Sequence, residues 1–309
     1  MRAWKLLLLS LTTTLFAISC APLQFSSVTP AELVKNLSTL ILEPKIGCDK
    51  LAQRFGLGNL PIVADPAGIG LSFEEYYLPT PDGEELNTWY IPARLNRGTV
   101  VLSYGSSGRM ACYLYVTQTL VDLGWSVVMY DYRGFGGSTG RASLDTLSAD
   151  LQVVLDWSLS RTQRKQVTLL GVSLGTIPSV ALAVQQPEKV NGVILDSPVA
   201  LATEMQRFDA LLGGRAAEYA NALSDDLVLE RLMPDLTAPL LVILDGADNV
   251  TTPASIQLLF DLAPGTKELA YFPGFGHAFA PYYDTAMFSY RIDLFLSSRW
   301  GEAALAAPQ

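Results

Sequence analysis

The chain has 309 residues, 50% hydrophobic and 17% charged, which is ample apolar material for a sizeable core and excludes a disordered protein. Its formal net charge of -9 at pH 7 repels polyanions and argues against nucleic acid as a partner. With one histidine and no cysteines paired at ligand spacing, no metal site is credible.

In chain order, Arg2 and Lys5 precede the apolar run Leu6 to Ile18 and then Ser19-Cys20. The run falls short of the ~20 apolar residues of a membrane span, so it reads as a secretory signal. Phe16-Ala17-Ile18-Ser19-Cys20 resembles a bacterial lipobox, which implies cleavage before Cys20 and acylation of that cysteine. Residues 1–19 are then expected to be a lipoprotein signal peptide. Their loss removes Arg2 and Lys5 and takes the net charge to -11. The mature protein is expected in the bacterial cell envelope, held to a membrane through a lipid on Cys20. Export to an oxidising compartment would let Cys48 and Cys112 pair, while two separate buried thiols fit the sequence equally well.

Residues 20–69 carry prolines at 22, 30, 44, 61 and 66 and a helical pattern around Ala31 to Leu42; they read as a tether and an N-terminal extension. From Gly70 onward, apolar runs alternate with amphipathic stretches, the pattern of a mostly parallel sheet covered by helices. Leu71 to Leu78 and Leu86 to Ile91 flank the turn Thr80-Pro81-Asp82-Gly83 and predict an antiparallel hairpin. Buried-type strands follow at Thr99–Ser103, Ser126–Tyr130, Gln166–Leu170, Gly192–Leu195, Leu240–Leu244 and Glu268–Phe272. Helices are predicted over Arg109–Leu123, Ser143–Ser160, Thr176–Gln186, Pro253–Leu262 and Thr285–Ser298. This places a single α/β domain with eight strands over residues 70–300, followed by a tail at 301–309. One long interruption, 197–238, is helical in pattern and broken at Gly213-Gly214, and is either a small cap over the strand ends or peripheral packing.

Gly171-Val172-Ser173-Leu174-Gly175 matches G-x-S-x-G with a predicted strand before it and a helix after it. A sharp strand-to-helix turn presents the serine oxygen outward, and the glycines remove side chains that would collide in so tight a bend. The helix start beneath it offers free amide donors and a dipole that favours developing negative charge. Serine needs a neighbouring base to take its proton, and the chain has one histidine, His277, in the loop Phe272-Pro273-Gly274-Phe275-Gly276-His277 after the last strand. An acid that orients this imidazole is sought between the two in chain order. Leu244-Asp245-Gly246-Ala247-Asp248-Asn249 offers Asp248, further into its loop and preferred, and Asp245 at the strand end; Asp196 is a more remote alternative.

With these residues in view, the chain resembles the serine aminopeptidase-like and acyl-hydrolase branch of the α/β-hydrolase superfamily, over roughly residues 70 to 300. Asp131-Tyr132-Arg133-Gly134-Phe135-Gly136-Gly137-Ser138 is similar to that branch's D-Y-R-G-x-G-x-S turn, Asp245-Gly246-Ala247-Asp248 to its h-G-x-x-D acid loop, and Gly276-His277 to its base. One departure is Tyr104-Gly105-Ser106-Ser107-Gly108, where the family has His-Gly after the third strand. That loop supplies a backbone amide to the oxyanion, and a backbone donor survives side-chain change; by position it is Ser106, partnered by the Leu174 amide. Gly134-Phe135-Gly136-Gly137-Ser138-Thr139-Gly140 lacks G-x-G-x-x-G spacing, so a dinucleotide site is set aside. Arg109, near the oxyanion loop, reads as a solvated surface residue.

The resemblance implies acyl transfer from an ester or thioester of a small or lipidic acyl group, with Ser173 as nucleophile, His277 as base, Asp248 as acid and no cofactor. Cleavage of short peptides is the alternative, and would be favoured by an acidic group placed to bind a free amine. A non-catalytic lipoprotein that uses the fold for binding is the third.

Overall fold

The computed structural model describes residues 29–58, 60, 62–210 and 212–300. Cys20 and the tail at 301–309 lie outside them. β3 (Thr99–Ser103), β4 (Ser126–Tyr130), β5 (Val167–Val172) and β7 (Leu240–Asp245) are buried at every position, and β6 (Val190–Asp196) at all but one. Strands covered on both faces read as continuous apolar runs, which is why their positions were legible in the sequence. Outside them, β1 (Glu74–Pro79) alternates exposed and half-buried positions toward solvent, as an edge strand with one open face does.

With β2 (Glu85–Ile91) and β8 (Lys267–Phe272) these strands form one eight-stranded sheet in the order β1-β2-β4-β3-β5-β6-β7-β8. β1 pairs antiparallel with β2, and β2 with β4; every other pairing is parallel. The chain therefore begins at one side, reverses outward from β3, and then crosses to β5 and beyond. The carboxyl ends of β3, β5, β6, β7 and β8 all open on one rim, where open α/β sheets carry their sites. The sequence expectation of an α/β fold with a mostly parallel eight-stranded sheet flanked by helices is met in full.

Helices cover both faces. α1 (Pro30–Ile41) starts at a capping box in which the Thr29 hydroxyl accepts from the Glu32 amide (3.3 Å) and Glu32 accepts from the Thr29 amide (2.8 Å), with Pro30 at the first helical position. α2 (Cys48–Phe55) ends at Gly56 in the left-handed conformation. The described part of the segment expected to be tether and extension is thus built into the body of the fold: Leu33, Leu37, Leu42, Cys48 and Leu51 join the main core. Of the prolines in this segment, Pro30 starts α1 and Pro66 starts a short 3₁₀ turn. Cys48 and Cys112 form a disulfide with Cα atoms 5.1 Å apart, which settles a pairing that the sequence left open.

The remaining helices are α3 (Leu114–Asp122), α4 (Leu147–Thr162), α5 (Thr176–Gln185), α6 (Leu201–Arg207), α7 (Ala216–Ala222), α8 (Leu229–Leu232), α9 (Pro253–Leu262), α10 (Ala280–Tyr283) and α11 (Thr285–Trp300). Two of the predicted helices open with a 3₁₀ turn before settling into α-geometry, at Met110–Tyr113 and Leu144–Thr146. The long interruption holds α6, α7 and α8, with Gly213 and Gly214 at positive φ between the first two. α8 packs on α5, and α7 meets α1. Among the described residues no helix is long and apolar enough to cross a membrane.

Candidate active site

β5 delivers Ser173 at φ +51°, in the left-handed region, directly ahead of α5. A non-glycine residue held there is strained, and the surrounding packing must over-determine it. The two flanking glycines show how. A Cβ on Gly171 would lie 2.6 Å from the Gly175 carbonyl oxygen, and one on Gly175 only 2.0 Å from the carbonyl oxygen of Ser103. Gly171 is closed in by the turn's own backbone and Gly175 by β3, so only hydrogen fits at either side of x-Ser-x. Thr176 Oγ1 then donates to the Ser173 carbonyl (2.5 Å), tying the turn to the first residue of α5.

Ser173 Oγ lies 2.7 Å from His277 Nε2, and His277 Nδ1 lies 2.8 Å from Asp248 Oδ2. With Asp248 ionised, Nδ1 carries the proton and donates to Oδ2, leaving Nε2 free to accept from the serine hydroxyl. Asp248 is fully buried at its side chain and His277 is 10% exposed, so the pair is shielded from water. The carboxylate's other bonds come from its own loop: Oδ1 accepts from the amides of Val250 (2.8 Å) and Thr251 (3.0 Å), and Oδ2 from the Thr251 hydroxyl (2.8 Å). Burial opposes the charged form of Asp248, but the His277 and Thr251 bonds outweigh it and hold the carboxyl below the usual aspartate range.

Of the alternatives considered for the acid, Asp245 instead accepts from the Phe279 amide (2.9 Å), holding the loop just beyond His277. Its Oδ1 and both oxygens of Asp196 are buried without a hydrogen-bond partner. Burial, with the nearby Asp248 charge adding to it, pushes Asp245 up to about 7. Burial, then the charges of Asp245 and Asp248, raise Asp196 well above the ordinary range.

Tyr104, the departure from the histidine of the resembled family, is fully buried and donates through its hydroxyl to Asp131 Oδ1 (2.9 Å). The same carboxylate accepts from the amides of Met110 (2.7 Å) and Gly137 (3.0 Å), and Tyr132 donates to the Tyr104 carbonyl (2.8 Å). The Asp131–Ser138 turn is therefore a hub under the Tyr104–Gly108 loop. Gly105 faces the nucleophile: a Cβ there would sit 3.6 Å from Ser173 Cβ and 2.8 Å from the Tyr113 hydroxyl. Ser106 follows in this loop, half-buried, and Leu174 is buried at the head of the turn into α5. Arg109 is exposed.

Residues around the site that the sequence did not single out are Thr251 and Ser197. Ser197 leaves β6 at φ +50° and its hydroxyl accepts from the Ala278 amide (2.9 Å), beside His277. No motif marks them; each acts through a loop that reaches it from another strand. From the long interruption, Glu204 on α6 accepts from Ser255 Oγ (2.7 Å) and the Thr252 amide (3.3 Å), linking that segment to the loop that carries Asp248. Among the described residues no group of three or more His, Cys, Asp or Glu side chains could hold a metal ion.

A serine aminopeptidase (S33) family model matches residues 95–227. An uncharacterised protein of Mycobacterium tuberculosis is 30% identical over 221 residues, covering 69% of this chain and 73% of that protein. Human protein ABHD12B is 29% identical over 236 residues, covering 69% of this chain and 64% of that one. Among solved structures, the Pyrococcus furiosus esterase Pf2001 superposes with a TM-score of 0.63 at 18% identity, covering 77% of this chain and 94% of that chain. Est1E of Butyrivibrio proteoclasticus, solved with ferulic acid bound, gives 0.61 at 18% identity, covering 72% and 98%. At that identity the structural likeness speaks for the fold alone. From sheet order, sequence relatives and family match together, the chain belongs to the α/β-hydrolase family.

Proposed function

We propose that this hydrolase is a serine enzyme that cleaves a carboxylic ester or thioester through an acyl-enzyme intermediate, with Ser173, His277 and Asp248 as its catalytic residues. The observation that carries the reading is the continuous hydrogen-bonded line from Ser173 Oγ through His277 to Asp248 Oδ2, at 2.7 and 2.8 Å. In the proposed reaction, Nε2 takes the serine proton as Oγ bonds to the acyl carbon. The carbonyl electrons move to the oxygen, which accepts hydrogen bonds from the amides of Ser106 and Leu174. As the tetrahedral species collapses, the imidazolium gives its proton to the leaving oxygen or sulfur. Water then enters by the same route, its proton passing to Nε2, and releases the acid. Asp248 keeps the imidazole in the tautomer that each transfer requires.

The short-peptide alternative draws no support from Asp196 and Asp245. They are 1% and 0% exposed and burial favours their neutral forms, so neither presents a charge to a free amine. The preference for an acyl group of lipidic character rests on the expected lipid on Cys20, which would keep the enzyme at a membrane surface. In the same reading the segment 197–238, joined to the acid loop through Glu204, is a small cap.

The test is labelling of the full chain by a fluorophosphonate, with Ser173→Ala and His277→Ala alongside. Labelling lost in both variants supports the reading, and a folded wild type that stays unlabelled counts against it. Incorporation of labelled palmitate that disappears in Cys20→Ser would support the anchor; equal incorporation would remove it.

A further inference from the structure

The N-terminal segment grips the loop assigned to the oxyanion. Glu43, between α1 and α2, forms an isolated parallel bridge with Ser107: its amide donates to the Ser106 carbonyl (2.8 Å), and its own carbonyl accepts from the Gly108 amide (3.1 Å). Its side chain adds a third link, with Oε2 accepting from Ser107 Oγ at 2.8 Å. Arg54, on α2, donates to the same carboxylate through Nη2 (3.1 Å), and α2 is stapled to the far side of the loop by the Cys48–Cys112 disulfide. Cys112 lies directly behind Gly108, whose Cβ would meet Sγ at 2.9 Å. The segment also reaches the histidine side, where Ala52, Leu57 and Leu60 pack with Phe279 and Tyr282, and the Gly56 carbonyl accepts from Tyr283 (3.3 Å).

We propose that Glu43 is a positioning residue for the reaction, holding the Gly105–Ser107 backbone at the distance from Ser173 at which the Ser106 amide can receive the oxyanion. A loop of small residues such as Gly-Ser-Ser-Gly has little of its own to fix it, since glycine permits many backbone states. The family model matches residues 95–227, so Glu43 and the two helices beside it lie outside the matched part. Two of these contacts hold the 106–107 and 107–108 peptide groups and the third holds the Ser107 hydroxyl, so they fix the chain directly after the Ser106 N–H. Displacing such a donor by even a fraction of its bond length weakens charge stabilisation in the transition state while leaving ground-state binding nearly intact. The inference deepens the proposed hydrolase reaction and rests on it.

The experiment uses the full chain as wild type, Glu43→Ala and Glu43→Gln. It measures the maximal rate and half-saturating concentration of fluorophosphonate labelling, and amide exchange of the peptide covering 104–108. The alanine variant is expected to lose about 10-fold in maximal rate, less than the ~10² or more that follows removal of an oxyanion donor outright. Its half-saturating concentration should stay within about twofold, and exchange of the loop should rise. Glutamine keeps an acceptor for Ser107 Oγ and should restore most of the rate, which loss of fold stability would not predict. Wild-type labelling in Glu43→Ala, or unchanged loop exchange, overturns the inference. An unlabelled wild type whose loop exchange still responds to Glu43→Ala would refute the hydrolase reading and keep Glu43 as the anchor of the loop.

Discussion

The Asp248 amide donates to the Asp245 carbonyl at 3.1 Å, so the two carboxyls leave one tight turn, yet their surroundings shift their proton affinities in opposite directions. Asp248 gains donors from Val250, Thr251 and His277, whereas Asp245 gains the Phe279 amide and leaves one oxygen buried without a partner. Burial is the leading cause at both, and only Asp248 has enough donors to overcome it.

A division of roles follows. Asp248→Asn keeps the shape but loses the acceptor for Nδ1–H and favours the wrong tautomer, so kcat should fall by about 10³ to 10⁴. Thr251→Val removes one donor from the same carboxylate and should cost about 10-fold. Asp245→Asn retains an acceptor for Phe279 and should leave kcat within a few-fold. Steady-state kinetics on p-nitrophenyl esters separate the three, and a larger loss at Asp245 than at Asp248 would reverse the assignment.

Stability should respond to pH through Asp245. Its folded pKa, about 7, lies above the ordinary 3.8, so between these values the folded state binds more protons than the unfolded one. Stability is then highest below about pH 4 for this group and falls as pH rises toward 7. The neighbouring Asp196 is shifted in the same direction, and the charge of Asp248 contributes to both shifts. Asp245→Asn should therefore melt close to wild type at about pH 4 and several degrees above it at pH 8.5. Thermal unfolding at the two pH values checks this, and parallel shifts at both would contradict it.

The Cys48–Cys112 bridge spans 64 residues of sequence, and a loop of that size constrains the unfolded chain by about 4 kcal/mol on the chain-entropy account. The Cys48→Ser/Cys112→Ser protein should lose a large part of that, seen as a lower urea midpoint with a steeper slope, because the unlinked chain exposes more surface on unfolding. An unchanged midpoint would mean that the packing of α1 and α2 suffices.

At the nucleophile turn, Gly175→Ala puts a methyl 2.0 Å from the Ser103 carbonyl oxygen. Backbone cannot yield that far, so the variant should be destabilised by more than about 4 kcal/mol or fail to accumulate as soluble protein. A variant that folds with wild-type stability would show that β3 and β5 are less closely wedged than described.

The sequence by itself determined the sheet and much of the site's membership. Strands buried on both faces are uninterrupted apolar runs, so Thr99–Ser103 and Ser126–Tyr130 were bounded to the residue. Ser173 and His277 stood out for equally local reasons, a glycine-flanked turn and the only histidine. Tertiary structure alone decided what came together across distance. It separated the partners of Asp245 and Asp248, joined Cys48 to Cys112, placed Thr251 and Ser197 beside the histidine, and laid Glu43 against Ser106 and Ser107. None of these contacts has a periodicity, because each joins residues far apart in the chain, loops from separate strands at the rim or the N-terminal helices against the body, and the distance between such pieces is set by the packing of the whole domain.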